Sequence, residues 1–517
     1  MRVISAETMQ DIDRQAIVEC GIPGLHLMEK AGCSCVAEII AEFGACRRCV
    51  VIAGKGNNGG DGYVIARLLG AKGWRVKVII LAGREQISGD AATNLELLSD
   101  SVINYCTAEG LLSVQHGKDL LQADVIVDAL FGTGLSNTVS GIYREAIRLM
   151  NASGRPIVAV DIPSGIHGTS GLILGDAVRA YCTVTFAFAK LGHVLYPGAE
   201  YTGRLVVADI GIPAHLMETA SGYDFLNEDA VHPLLRGRDR QSHKGHFGHC
   251  LIIAGSTGKT GAAALSANSA VRTGSGLVTL AVAERIHHIL EMKTTEVMTF
   301  SLPDGGAGYL TDSAFPDIEK LCTGKDAVAI GPGIDRSQGT SALVQKLVET
   351  VDLSLVIDAD GLNALAEDIT VLKRKKSHQI ILTPHPGEMS RLTGAPVAEI
   401  EAARIAAAQD FAHSYDVFVI LKGARTIIAS PTGDVAINGS GNPGMASGGM
   451  GDVLTGILVS LLGQGYSAWD ACRLGVFLHG SAADMVADDK GEIGLNATDV
   501  LEKLPYACKK LLRRSTC

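Results

Sequence analysis

Apolar positions along the chain come in short, almost uninterrupted runs separated by stretches with helical spacing. The first half contains "CVVIAG", "VKVIILAG", "ADVIVDALFG", "PIVAVDIPSG", "TVTFAF" and "RLVVADIG", with amphipathic segments such as "DGYVIARLLGAKG" between them. Strands that are apolar on both faces, with helices between them, predict a parallel sheet covered on each side. Periodicity fails around residues 215–225, where Pro, Ser, Gly and acidic residues predict a linker. It resumes with "CLIIAG", "GLVTLAV", "AVAIGPG", "SLVIDADGLNAL", "QIILTPHPGE", "VFVILKG" and "TIIAS", then "GGMGDVLTGILVSLLGQG". The expected fold class is α/β, with two doubly wound three-layer domains at residues 1–218 and 225–510. In open sheets of this kind ligands sit beyond the carboxyl ends of the strands, and nearly every Gly, Asp and His motif here falls at such an end.

Composition narrows the class. A chain of 517 residues is too long for one ordinary core. A net charge of −10 with no basic stripe argues against a nucleic-acid partner. Mean hydropathy is positive, but no run approaches the roughly 18 apolar residues of a membrane span. The start "MRVISAETMQDIDRQA" has acids early and no apolar core of a signal peptide, so a cytoplasmic location is expected. Twelve scattered cysteines then read as reduced thiols. Cys46 and Cys49 form a CxxC with Cys33 and Cys35 nearby, which leaves a metal site open as an alternative to ordinary thiols. The basic tail "CKKLLRRSTC" reads as a solvated helix end.

Candidate chemistry in the first half begins at "GKGNNGGDG", Gly54 to Gly62. A dinucleotide fingerprint needs an acid ending the next strand, and there Arg84 precedes a late Glu85. Glycine amides can instead close on an anion at a helix start, expected near Asp61, which then either caps the helix or meets a ligand. Further strand ends supply Asp128, Asp161 and Ser164. An Asn carbonyl, Asp128 and Ser164 together suit a monovalent cation, and Asp161 suits an acid/base role. Each aspartate could also simply order its turn.

In the second half "GSTGKTG" lacks the glycine a phosphate-binding P-loop requires, because Ile253 stands in its place, so Lys259 reads as an exposed turn residue. The glycines before Asp452 form a nest for phosphate oxygens, where a carboxylate can take a proton from a hydroxyl as a phosphoryl group arrives. A plain glycine turn with Asp452 as its cap is the alternative.

The motifs "NNGGDG", "DALFGTGL" and "VDIPSG", in this order, resemble the epimerase domain of the NAD(P)H-hydrate repair enzymes over residues 1–215. The resemblance implies substrate contacts from Asn57, Asn58, Gly59, Gly60 and Asp61. It implies further contacts from Gly132, Thr133, Gly134, Leu135, Ser136, Asn137 and Thr138, with Tyr143 and Asp161, and potassium at Asn58, Asp128 and Ser164. The run "GGMGD" resembles the GxGD signature of the ribokinase superfamily. With "GPGI", "DADGLNAL", "TPHPGE" and "LKGART" it resembles the dehydratase domain of the same repair family over residues 225–505. The two domains are thereby expected to be Rossmann-like and ribokinase-like. Ala263, Gly333, His385 and Asp452 would meet the hydrated dinucleotide (NADHX or NADPHX). Lys422, Gly423, Ala424, Arg425, Thr426 and Gly451 would hold ADP or ATP, with Mg2+. Asp161 and Asp452 are the expected catalytic residues, and a homo-oligomer is expected. Two other readings stand beside this: a kinase for a vitamin-like alcohol, and a first domain that only binds dinucleotides.

Overall fold

The first apolar run becomes the centre of a sheet because its alternate residues find different cores. In a computed structural model describing residues 1–110 and 112–513, the chain divides into Arg2–Tyr223 and Asp224–Cys517, the latter with Met1. The N-terminal unit holds β1 (Arg2–Ile4), β2 (Arg48–Ala53), β3 (Arg75–Ile80), β4 (Ile103–Tyr105) and β5 (Val125–Ala129). It continues with β6 (Ile157–Val160), β7 (Cys182–Phe186), β8 (Ala189–Lys190) and β9 (Arg204–Ala208). Seven of these form a parallel sheet in the order β4-β3-β2-β5-β6-β7-β9, and β1 pairs with β8. Val51, Val127 and Val158 pack with helices Gly24–Phe43 and Asn57–Ala71. Val50, Ile126 and Ile157 face helices Leu112–Gln122 and Gly141–Ala152 on the other side. Burying each such side chain contributes about 1.5–3 kcal/mol, which fixes the register of every strand.

Sequence order reverses between β2 and β5, whose neighbours lie on opposite sides. That switch point leaves a crevice at the strands' carboxyl ends. The helix following β2 starts at Asn57, not near Asp61 as expected, with Gly56 as its extended N-cap. Three of its four glycines sit there despite their poor helix propensity because there is no room for side chains. A Cβ at Gly59 would collide with the Gly54 carbonyl oxygen, one at Gly60 would stand 2.7 Å from Met28, and one at Gly62 2.7 Å from Ala129. Asp61, at the fifth helical position, is not a cap.

The C-terminal unit holds β10 (Tyr223–Leu226), β11 (His249–Ile253), β12 (Leu277–Ala283), β13 (Met298–Leu302) and β14 (Ala327–Ile330). It continues with β15 (Ser354–Ile357), β16 (Ile380–Leu382), β17 (Phe418–Leu421), β18 (Ile427–Ala429) and β19 (Val435–Asn438). They are ordered β13-β12-β11-β14-β15-β16-β17-β18-β19-β10, antiparallel only at β17–β18 and β18–β19. The switch point lies between β11 and β14. Helix Met450–Gly463 is buried almost all round, so its apolar run shows no polar face. It approaches helix Thr260–Thr273 so closely that a Cβ at Gly456 would collide with Ser269 Oγ and the Ser266 carbonyl.

Three expectations need correction. The stretch read as a linker contains helix Ala214–Thr219 and β10. No cysteine belongs to a metal-type cluster among the described residues, since Cys35 and Cys49 point into the core. Short strands β4, β10, β13 and β19 escaped the apolar pattern; β13, "MTFSL", is an edge strand with Met298 and Phe300 exposed. The basic tail begins as the end of helix Ala497–Arg513, and its last four residues, 514–517, lie outside the described residues. No described helix is long and apolar enough to cross a membrane.

Candidate active sites

In the N-terminal unit the two switch-point loops are joined main chain to main chain. Gly54 N–H donates to the Ala129 carbonyl at 3.0 Å, and a Cβ on Gly54 would collide with the Leu130 carbonyl. Beside them Asp128 is fully buried and accepts from Ser164 Oγ at 2.6 Å and Ser164 N–H at 2.8 Å. Burial pushes its carboxyl up to about 6, against those hydrogen bonds. Asn58 is only 8% exposed, yet neither Oδ1 nor Nδ2 has a partner. An orphaned buried amide next to a turn costs about 1–3 kcal/mol unless something fills its valence. Asn58, Asp128 and Ser164 are hard oxygen donors, and the unmet Asn58 carbonyl makes this set a fit for a monovalent cation.

Asp161 follows β6 with φ +64°, a left-handed conformation that costs a non-glycine residue of order 1–3 kcal/mol. Tertiary contacts impose it. Lys190 Nζ, 1% exposed, donates to Asp161 Oδ1 at 2.7 Å and to Thr185 Oγ1 at 2.8 Å, and Thr185 Oγ1 donates to the same Asp161 oxygen at 3.0 Å. His193 Nδ1 accepts from Lys190 N–H at 2.9 Å, so Nε2 carries the ring proton and donates to the Asp161 carbonyl at 2.8 Å. Burial and Lys190 hold His193 down to about 4, keeping it neutral. Burial works against the Asp161 charge, but Lys190 and the Thr185 hydroxyl hold its carboxyl below the ordinary carboxylate range. Its Oδ2 is turned to the Gly132 turn: a Cβ there would stand 3.4 Å from Oδ2 and 3.5 Å from Asn58 Oδ1.

The structure thus brings Asn58, Gly132 and Asp161 to one point. Asn57 is exposed beside them, and Gly59 and Gly60 are packing positions beneath the loop. Thr133, Gly134, Leu135, Ser136, Asn137 and Thr138 form an irregular loop in which Gly134 and Ser136–Thr138 are exposed. Tyr143 is half-buried with its ring against Phe131. Lys190, His193 and Thr185 were missed; the signal was a lysine inside the apolar run "FAFAKLGH", which must find a buried anion.

In the C-terminal unit the switch-point loops are joined in the same way. Gly255 N–H donates to the Pro332 carbonyl at 2.8 Å and Ser256 Oγ to the Gly333 carbonyl at 2.7 Å. Gly333 has φ +63°, and a Cβ there would stand 3.0 Å from Lys259. Ala263 is wholly buried beneath Gly255, so it supports the loop from below. Lys259 is exposed, as read, and its Nζ pairs with Asp360 at 2.9 Å, while Arg336 pairs with the other Asp360 oxygen at 2.8 Å. Ala359, between Asp358 and Asp360, has φ +51°, a second strained residue.

Asp358 sets the charge of this site. It is 1% exposed, and its two oxygens take Lys422 Nζ at 2.8 Å and Thr455 Oγ1 at 2.9 Å. Burial opposes this charge as well, and Lys422 and the hydroxyl hold the carboxyl down. Helix Met450–Gly463 is capped by Gly449 at φ +91°, and a Cβ on Gly451 would stand 3.3 Å from Asp358 Oδ2 and 3.4 Å from Lys422 Nζ. Asp452 sits in the first turn, and among the described residues nothing donates a hydrogen bond to its carboxylate. Burial and the Asp358 charge raise it to about 7, against the pull of Lys422.

His385 caps helix Pro386–Thr393, its Nδ1 accepting from Gly387 and Glu388 N–H. That leaves Nε2 as the edge for a ligand; it lies 3.5 Å from Glu388. Burial and the nearby Lys422 push the imidazole pKa down. Lys422 is the partner of Asp358 and reaches Glu388 at 3.7 Å. The Gly423 and Ala424 stretch is gripped by Arg404, which donates to the Leu421, Lys422 and Ala424 carbonyls. Arg425, at φ +57°, donates to the Gly439 carbonyl, and Thr426 Oγ1 bonds back to Gly423. Asp358, Glu388 and Thr455 were not foreseen as site residues; "DADG" carried the signal, two acids closing a buried strand.

Paired switch-point loops with a lysine-held carboxylate at or beside a strained residue in each unit define a two-site α/β enzyme. A family model described as YjeF-related protein N-terminus matches residues 24–192, and one described as NAD(P)H-hydrate dehydratase matches residues 250–506. The bifunctional NAD(P)H-hydrate repair enzyme of Moorella thermoacetica is 45% identical over 99% of this chain and 97% of its own. That of Escherichia coli is 35% identical over 96% and 92%. The chain belongs to the bifunctional NAD(P)H-hydrate repair enzymes. A crystal structure of the ADP/ATP-dependent NAD(P)H-hydrate dehydratase of Bacillus subtilis, co-crystallized with ATP/Mg2+, is also similar. It is 30% identical, covers 56% of this chain and 99% of that one, and gives a TM-score of 0.48.

Proposed function

We propose that the N-terminal unit interconverts the R and S hydrates of NADH and NADPH, and that the C-terminal unit dehydrates the S form, with ADP converted to AMP (or ATP to ADP) and phosphate. The observation that carries the reading is Asp452: a half-buried carboxylate to which no described residue donates a hydrogen bond, raised to about 7, in the first turn of a glycine-capped helix. Hydroxide is a poor leaving group, and phosphorylating the hydroxyl on the hydrated ring makes it a good one. Asp452 takes the hydroxyl proton, and the Gly449–Gly451 amides stabilise the arriving phosphoryl group. The ring nitrogen's lone pair then expels phosphate, and loss of the adjacent carbon's proton restores the dihydronicotinamide. Lys422 keeps Asp358 ionised, and that charge sustains the basicity of Asp452.

The Lys422–Thr426 loop and Gly451 are assigned to the nucleotide, and Gly333, His385 and the Ala263 loop to the hydrated dinucleotide. Magnesium would be carried mainly by the nucleotide's phosphates, beside the carboxylates here, and when bound it offsets phosphate charge. Potassium would be held by Asn58, Asp128 and Ser164, and when bound it supplies a fixed positive charge in the first site. A cytoplasmic location and a homo-oligomeric state complete the proposal.

Identity over almost the full chain favours this reading over an alcohol kinase joined to a passive binding module. The full chain, given hydrated NADH with ADP or ATP, should regenerate the near-ultraviolet absorbance of NADH from both epimers. Phosphorylated product that accumulates without that absorbance would favour the kinase instead.

A further inference from the structure

Residues that follow the carboxyl ends of the adjacent strands β11, β14, β15 and β16 are joined in one hydrogen-bonded network. At its centre is buried Asp360, the first residue of helix Asp360–Glu367. Lys259 Nζ donates to its Oδ2 at 2.9 Å, Arg336 Nε to its Oδ1 at 2.8 Å and Asp335 N–H to Oδ2 at 3.3 Å. Asn363, one turn along the same helix, donates to Oδ1 at 3.4 Å and accepts from Arg391 Nε at 2.7 Å. Two residues here are strained, Asp335 at φ +90° and Ala359 at φ +51°. Such conformations persist only where surrounding contacts over-determine them, and they gather at ligand sites.

The network holds more donors than its own acids use. Each arginine spends Nε on a partner inside it, and no described residue accepts a hydrogen bond from the Nη atoms of Arg336 or Arg391. Lys259, Arg336 and Arg391 are all exposed. A guanidinium fixed at Nε presents its two Nη groups as a planar fork, which matches the oxygens of a phosphate.

Both groups assigned to the hydrated dinucleotide border this network. A Cβ on Gly333 would stand 3.0 Å from Lys259 Cβ. One on Gly387 would stand 2.9 Å from His385 Cε1 and 3.9 Å from Arg391 Nη1. After burial and Lys422, Arg391 and Arg336 also lower the His385 imidazole. The loop assigned to the nucleotide follows β17, across β16 from Asp360.

We propose that Lys259, Arg336 and Arg391 form a phosphate-binding rim for the hydrated dinucleotide, with Asp360 and Asn363 as the positioning residues that hold the two arginine forks. This rests on the dehydratase reading and names the groups that take its substrate. Hydrated NADH and hydrated NADPH both carry a pyrophosphate, and the NADPH form carries a further phosphate on its adenosine ribose. Neither phosphate takes part in the loss of water from the ring. The rim therefore binds ground state and transition state alike, and its loss appears in KM.

The test uses the full chain at saturating ADP, with the purified S hydrate of NADH and, separately, that of NADPH. Arg336→Gln and Arg391→Gln should each raise the hydrate KM about tenfold, the loss of one charge-assisted pair, with kcat within about threefold. The KM for ADP should stay within about twofold, which a disordered site would not permit. Asn363→Ala frees the Arg391 fork; it should raise hydrate KM severalfold alone and add nothing to Arg391→Gln. A rise shared by both hydrates assigns the rim to the pyrophosphate, and one confined to the NADPH hydrate assigns it to the ribose phosphate. Hydrate KM within about twofold of native in both arginine variants, or a rise in the KM for ADP instead, would overturn the rim while leaving the dehydratase reading intact. Failure of the native chain to regenerate NADH would overturn both.

Discussion

Both units bury a lysine against an aspartate at a strand end, and the two pairs have opposite consequences. Lys190 sits on Asp161 itself, so the carboxylate expected to do chemistry is held ionised. Lys422 sits on Asp358, and the carboxylate expected to do chemistry, Asp452, is raised to about 7 by burial and then by the fixed Asp358 charge beside it. The same two residue types at nearly the same distance give a weak base in one site and a stronger one in the other. What separates them is which carboxylate the lysine meets. A residue's role is therefore decided by its partner's partner, which spacing along the chain does not encode.

The largest expected break of this comparison is Asp452→Asn. Dehydration kcat should fall on the order of a thousandfold, within the usual reach of a general base, while epimerisation stays within twofold. Loss of both activities together would contradict two independent sites. Next is Lys190→Met, which removes the partner of a buried anion. We expect about 3–5 kcal/mol less stability for the N-terminal unit by chemical denaturation, and epimerisation too slow to measure. The dehydration rate with pure S hydrate should be unchanged.

The pH profiles sharpen the contrast. Asp452 acts deprotonated, so its activity is present above its pKa and lost below it. Dehydration kcat/KM should rise about tenfold per pH unit up to about 7 and then level off. A plateau reaching down to pH 5 would exclude Asp452 as the base. The smallest effect comes from one substitution made at two glycines. Gly59→Ala should cost about 1–3 kcal/mol of stability, because its methyl would meet the Gly54 carbonyl. Gly132→Ala has 3.4 Å of clearance from Asp161 and should leave melting unchanged while raising the epimerisation KM severalfold.

The long parallel strands, the two α/β units and the glycine-rich strand ends were legible because each is written in consecutive residues. The role of Gly59, Gly60 and Gly62 was not. They read as an anion loop and prove to be contact points of a helix on Gly54, Met28 and Ala129, partners distant in sequence or in the preceding turn. The cap reading of Asp61, one of the two left open, fails for the same reason, since the helix begins four residues earlier than its only acid suggested. Lys190, Glu388 and Asp358 stayed hidden because desolvation and pairing arise only when separate elements meet. A charged residue inside an apolar run, as in "FAFAKLGH", is the one trace such pairs leave in the sequence.

The reversal of strand order between β2 and β5, and again between β11 and β14, has a consequence for how such a molecule could change. The opening above those strands is made by connectivity, since neighbouring crossovers depart to opposite sides of the sheet, and no particular side chain props it open. A lineage or a designer could strip out every acid and lysine described above and still inherit two ready-made hollows. New chemistry could then be tried in one of them while the other continued its old task.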